Sequence, residues 1–199
     1  MTQKLLGNLS EGLVFVLSAP AGTGKTTLVK MLQNEFPCII GSISCTTRAP
    51  SSGEVPGKDY HFISQEEFAG KIKNGDFLEY ATVFENYYGT SKEYVLKEQK
   101  KGKHVMLVID TQGAMQIKKN GLPAVFIFIS PPSLLVLKER LFKRKTESAA
   151  VIEQRLSWAK DEMALAPQYD YHIVNDNLEN AYQILRSIII SEEHRTRNK

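Results

Sequence analysis

Eight residues near the N-terminus, Ala19-Pro20-Ala21-Gly22-Thr23-Gly24-Lys25-Thr26, have the types and spacing of a loop that wraps a phosphate. Gly22 and Gly24 permit a tight turn, so that successive backbone N–H groups converge on an anion at the start of a helix. Lys25 supplies a point charge suited to the β- and γ-phosphates of a nucleoside triphosphate. The Thr26 hydroxyl suits a Mg2+ ion bound along with them, and Thr27 beside it is a further candidate contact to the ATP. The first position, glycine in the usual pattern, is Ala19. The competing reading is a glycine-rich turn that merely opens a core helix; a strand before the loop and a helix after it argue against that.

The flanking pattern supplies both. Leu13–Ser18 is a short apolar run of strand type, and Lys25–Phe36 carries Leu28, Met31, Leu32 and Phe36 at helical spacing before Pro37. Ile39–Ser44 alternates as a strand. Ser64 and Glu67 form a capping-box signature ahead of a helix over Gln65–Lys73 that Gly75 closes, and Thr90 with Glu93 offers a second before a helix to Lys101. Phe77–Phe84 reads as extended. His104–Asp110 and Ala124–Ser130 are apolar strands, each followed by a helix, Thr111–Lys119 and Ser133–Phe142. A long helix over Ala149–Leu165, a strand over Tyr171–Val174 and a C-terminal helix from Leu178 complete the chain. Strands alternating with helices predict an α/β fold, a P-loop core whose parallel sheet is flanked by helices. Residues 45–89, rich in Gly, Pro and Tyr, and the basic stretch 138–147 interrupt that rhythm.

The chain has 199 residues, 42% apolar and 24% charged, with a net charge of +3, which is the composition of a single globular domain rather than a disordered or disulfide-stapled chain. Cys38 and Cys45 match no zinc spacing and fit a reducing compartment. The apolar run at Leu13–Leu17 is too short for a signal peptide, and no segment reaches the ~20 residues of a membrane span, so a cytoplasmic location is expected. Neither nucleic acid nor a membrane is an expected partner; a homo-oligomer stays open. No Asn-Lys-x-Asp run of the kind that reads guanine in GTPases is present, and the length is small for a motor ATPase. A small-molecule kinase fits best.

Further runs narrow the acceptor: Thr46-Thr47-Arg48, Gly53-Glu54-Val55-Pro56-Gly57-Lys58-Asp59-Tyr60, Asn86-Tyr87-Tyr88-Gly89-Thr90 and Ile109-Asp110-Thr111-Gln112-Gly113. Together with the phosphate loop they make the chain resemble the guanylate kinases, closest to the bacterial form, from the loop to Val174-Asn175-Asp176. The resemblance implies transfer of the γ-phosphate of ATP to GMP (dGMP included) with Mg2+ at Thr26, on a core of residues 1–44, 90–137 and 156–199. It also implies a GMP-binding insertion over 45–89 and a lid over 138–155. By the same resemblance Glu79 takes the guanine edge, with Ser44, Thr90 and Asp110 around the base, and Arg48, Tyr60 and Tyr88 hold the GMP phosphate. The resemblance also implies Lys25, Arg48, Arg140, Arg144 and Arg155 as the catalytic positions and a contact of Asn175 with adenine. The chemistry agrees: guanine presents N1–H and a 2-amino group side by side, and an ionised carboxylate accepts both. Relatives commonly carry a second arginine where Ser51 stands and an Asp where Val108 stands. The first departure predicts GMP binding weaker by ~1.5–3 kcal/mol. Trp158 is expected in packing, and His61, His104, His172 and His194 in surface or packing roles. Two alternatives remain: another P-loop kinase, for instance one acting on a ribose bisphosphate, and a guanylate-kinase-like binding module without catalysis.

Overall fold

A computed structural model describes residues 3–83, 85–143 and 148–196. Among them, β1 (Val14–Ser18), β2 (Ile39–Gly41), β7 (His104–Val108), β8 (Val125–Ser130) and β9 (Tyr171–Val174) form one all-parallel sheet in the order β2-β7-β1-β8-β9. The other strands, β3 (Cys45–Thr46), β4 (His61–Phe62), β5 (Phe77–Val83) and β6 (Asn86–Ser91), form a second, mixed sheet in the order β4-β3-β6-β5. The helices are α1 (Lys25–Glu35), α2 (Gln65–Asn74), α3 (Lys92–Gln99), α4 (Thr111–Lys119), α5 (Leu134–Lys143), α6 (Ala149–Ala164) and α7 (Leu178–Glu193).

The three central strands, β7, β1 and β8, are buried on both faces, which is why they read as continuous apolar runs. Alternate side chains divide between two cores. Phe15, Leu17, Met106, Ile127 and Ile129 pack with Leu28 and Leu32 of α1 and Leu185 and Ile189 of α7. Val14, Val16, Val105, Leu107, Phe126 and Phe128 pack on the other face with Val95 of α3 and Ala114 and Ile117 of α4. A third, smaller cluster of Leu137, Leu141, Ile152 and Ala159 joins α5 to α6. The architecture is the expected α/β P-loop fold. No helix among the described residues is long and apolar enough to cross a membrane.

Two local expectations are corrected. The strand expected over Ile39–Ser44 leaves the parallel sheet after Gly41, and Cys45–Thr46 pairs instead with β4 and β6 in the second sheet. The N-cap of α3 is Ser91, whose hydroxyl accepts from Tyr94 N at 3.4 Å, rather than Thr90. Thr90 is still in β6, fully buried, and its hydroxyl is committed to a carboxylate across the hairpin. The other capping box forms as read: Ser64 accepts from Glu67 N, and Gly75 closes α2 with φ +71°.

Candidate active site

The phosphate loop links the end of β1 to the start of α1, and its shape depends on its two glycines. Gly22 has φ +85°, and a Cβ on it would lie 2.8 Å from Leu141 of α5. Gly24 has φ +100°, and its Cβ would lie 2.7 Å from Asn175 Nδ2. That same Nδ2 donates to Thr23 O at 2.7 Å, while Asn175 N donates to Ser130 O at 2.8 Å. Asn175, 4% exposed at the end of β9, therefore braces the loop from beneath. Arg140 of α5 donates in turn to Asn175 O at 2.9 Å and Asp176 O at 3.3 Å.

Lys25 donates to Ala19 O, folding its ammonium back over the loop. Burial pushes its pKa down; the carboxylates of Glu162 and Asp110 oppose that, and Arg155 adds to it. Ala19, Pro20 and Thr23 are buried, Ala21 is half-buried, and Thr26 and Thr27 stand exposed on the first turn of α1.

Beyond the C-terminal edge of the parallel sheet lies a cavity of about 240 Å³ lined by Ser44, Tyr60, Glu79, Tyr88, Val108 and Asp110. Glu79, on β5, is 5% exposed and accepts the Thr90 hydroxyl at 2.5 Å. Burial raises its pKa to about 7; the Thr90 hydrogen bond pulls the other way, and Asp110 adds repulsion. Gly113 of α4 makes room for this carboxylate, since a Cβ there would lie 2.4 Å from Glu79 Oε2. Asp110 caps α4, its Oδ1 accepting from Gly113 N at 2.8 Å.

At one side of the cavity the rings of Tyr60 and Tyr88 meet edge to face at 5.9 Å. Arg48 Nε donates to the Tyr88 hydroxyl at 3.2 Å, and the guanidinium lies 5.5 Å from the Tyr60 ring centre. A second cavity, of about 470 Å³, adjoins the first at Val83 and Asp110. Thr111, Gln112, Trp158, Asp161 and Glu162 also line it. The two cavities meet at Asp110, whose charge acts on Glu79 on one side and Lys25 on the other.

The profile of the family described as guanylate kinase matches residues 12–192. A guanylate kinase of Protochlamydia amoebophila is 56% identical over 193 residues, 97% of this chain and 98% of its own length. One from Coxiella burnetii is 47% identical over 92% of this chain and 89% of its own. The crystal structure of guanylate kinase from Anaplasma phagocytophilum aligns with a TM-score of 0.75 at 35% identity, covering 97% of this chain and 91% of that one.

The chain belongs to the guanylate kinase family. It is accordingly an enzyme, a phosphotransferase. Of the positions the sequence suggests for a guanylate kinase, Ser44, Tyr60, Glu79, Tyr88 and Asp110 line one cavity, with Thr90 behind Glu79. Arg48 stands behind the two tyrosines rather than in the cavity wall. Asn175 donates to the phosphate loop, and Arg140 to the backbone after β9. Arg155 lies on α6 within electrostatic range of Lys25, while Arg144 falls outside the described residues.

Sequence reasoning leaves two residues of this site, Glu162 and Glu54, unassigned and expects a third, Trp158, in packing. Glu162 lies seven residues, two helical turns, beyond Arg155, a spacing that puts both on one face of α6. Trp158 is 41% exposed and lines the larger cavity instead of filling a core. Glu54 forms a double contact with Arg48, and the turn residues between the two were the available sign of it.

Proposed function

We propose that the chain transfers the γ-phosphate of ATP to GMP, giving ADP and GDP, and accepts dGMP as well. The observation that carries this reading is the buried carboxylate of Glu79 in the wall of a cavity of about 240 Å³ that Ser44, Tyr60, Tyr88 and Asp110 also line. Ionised, that carboxylate is an acceptor-only group, and guanine brings two adjacent donors to it. Adenine brings no such pair and would leave a buried charge unpaired, a mismatch that costs about 10⁴–10⁵ in discrimination at sites of this kind. None of the assigned contacts involves the ribose, which is why dGMP is included.

In this reading the loop N–H groups and Lys25 hold the ATP β- and γ-phosphates. Arg48, Tyr60 and Tyr88 hold the GMP phosphate, Arg48 by its positive charge and the phenols as neutral donors. Residues 45–89 serve as the GMP-binding insertion, and residues 138–155 as a lid carrying Arg140, Arg144 and Arg155. The acceptor needs no general base, because a phosphate monoester has its second pKa near ~6 and is largely dianionic at neutral pH. The protein's work is alignment, stabilisation of charge on the transferring group and exclusion of water.

Among the described residues no cluster of three or more His, Cys, Asp or Glu is placed to cage a cation. The exposed Thr26 hydroxyl beside Lys25 fits a hydrated Mg2+ shared with the triphosphate. Bound there, Mg2+ would neutralise charge on the β- and γ-phosphate oxygens. A coupled ADP-release assay across GMP, dGMP, AMP and UMP tests the reading. Turnover is expected with the two guanine nucleotides, and predominant turnover of AMP or UMP would refute it.

A further inference from the structure

Arg48 is held more completely than a lone phosphate-binding arginine would be. Its Nη1 donates to Ala49 O at 2.8 Å and Ser51 Oγ at 2.7 Å, and its Nε to Tyr88 at 3.2 Å. Its Nη2 meets both carboxylate oxygens of Glu54, at 2.7 and 3.0 Å. The guanidinium also lies against Tyr60 and Phe62, 5.5 and 5.9 Å from their ring centres. Glu54 is itself fastened, since its Oε2 also accepts from Ser51 N at 2.7 Å. The contact holds its carboxyl below the usual carboxylate range.

We propose that Glu54 is a positioning residue for the acceptor phosphate, acting through Arg48 on Tyr88; this rests on the GMP-binding reading above. An arginine side chain free in a surface loop has many rotamers, and binding an anion must freeze them. Here the carboxylate, Ser51 and two rings have already fixed the guanidinium plane, so that Nε points at the Tyr88 oxygen. With that oxygen accepting, the Tyr88 proton remains to be donated towards the cavity that Tyr88 and Tyr60 line. Ser51 takes part as the acceptor for Nη1 and the donor to Glu54. Ser51 thus braces both the arginine and its carboxylate partner.

The opposite role, a carboxylate that competes with the phosphate for Arg48, predicts the opposite sign. Removing it would then tighten anion binding. The geometry favours positioning, because Glu54 is anchored within the same short loop, by Ser51 N as well as by Arg48.

The test compares wild type, Glu54→Gln and Glu54→Asp by calorimetric titration with GMP and with guanosine, and by steady-state kinetics. Glu54→Gln is expected to weaken GMP binding and raise its KM about tenfold, the scale of a lost charge-assisted hydrogen bond. Guanosine affinity and the KM for ATP stay within about twofold, and kcat falls less than KM rises. Glu54→Asp, which keeps the charge on a shorter arm, falls between. GMP binding that is unchanged or tighter in Glu54→Gln overturns the proposal, as does an equal loss of guanosine affinity, which would mean a collapsed loop. A wild-type protein that binds neither GMP nor guanosine would sink the GMP reading itself, and this inference with it.

Discussion

Glu79 combines burial, a single hydroxyl partner and a nearby like charge at Asp110, and all of its expected behaviour follows from that combination. Its pKa stands at about 7 against an ordinary 4.5, so the folded protein holds this proton more tightly than the unfolded chain does. The associated stability is fully present below pH ~4.5 and is lost as pH rises through ~7, a difference on the order of 3 kcal/mol. Guanine donors favour the ionised form, so guanine binding drives the proton off. Guanosine, which has no phosphate to titrate, isolates this effect. Its dissociation constant is expected to rise towards tenfold per unit as pH falls below 7 and to level off above it, with Glu79→Gln flat throughout. A flat wild-type profile between pH 5.5 and 8 would remove Glu79 from the base contact.

At the scale of elements, the phosphate loop is shaped as much by the strand that ends at Val174 as by its own glycines. Asn175→Ala removes the donor to Thr23 O and leaves a buried carbonyl short of a partner, at a cost of about 1–3 kcal/mol. Its kinetic signature should be a rise in the KM for ATP that exceeds any rise for GMP; equal changes in both would show that the brace does not shape the loop. The order of strands and helices was legible in the sequence because parallel strands buried on both faces are continuous apolar runs, as at Val14–Ser18 and Val125–Ser130. The loop was legible because its function requires particular residues at fixed spacing. The errors arose where one residue separates two roles. Thr90 and Ser91 are both hydroxyl residues able to cap α3, and only the pleat of β6 decides which of them turns inward to Glu79. Gly41 ends β2 because the chain crosses to another sheet, a tertiary event with no local signal. Asn175 and Glu54 act through partners 152 and 6 residues away, and Trp158 faces a cavity walled by other segments, none of which periodicity reports.

Over the whole molecule, the site occupies the C-terminal edge of the parallel sheet, and a buried polar cluster closes the opposite edge. Glu193, near the end of α7, accepts from Gly7 N at 2.7 Å, Asn8 N at 2.9 Å and Asn8 Nδ2 at 2.6 Å. It also pairs with the fully buried His104 at 2.5 Å. Because His104 Nδ1 accepts from Leu13 N, the ring proton sits on Nε2 and is donated to Glu193. The first residues, the start of β7 and the last helix are thus tied at one carboxylate. Glu193→Ala leaves these donors buried without an acceptor and is expected to cost about 3 kcal/mol, lowering Tm by roughly 6–12 °C. The kcat/KM of the folded fraction should stay near wild type, since the cluster lies away from both cavities; an unchanged Tm would contradict the assignment.

Fold, loop and cavities converge on one claim, that a buried acid selects guanine over adenine for phosphorylation. It is tested most directly by the ratio of kcat/KM for GMP to that for AMP, measured for wild type and Glu79→Gln under the same conditions. The account predicts a ratio of about 10⁴ or more for wild type and a fall of at least ~10²-fold in the variant. A ratio that survives the loss of the carboxylate would contradict it.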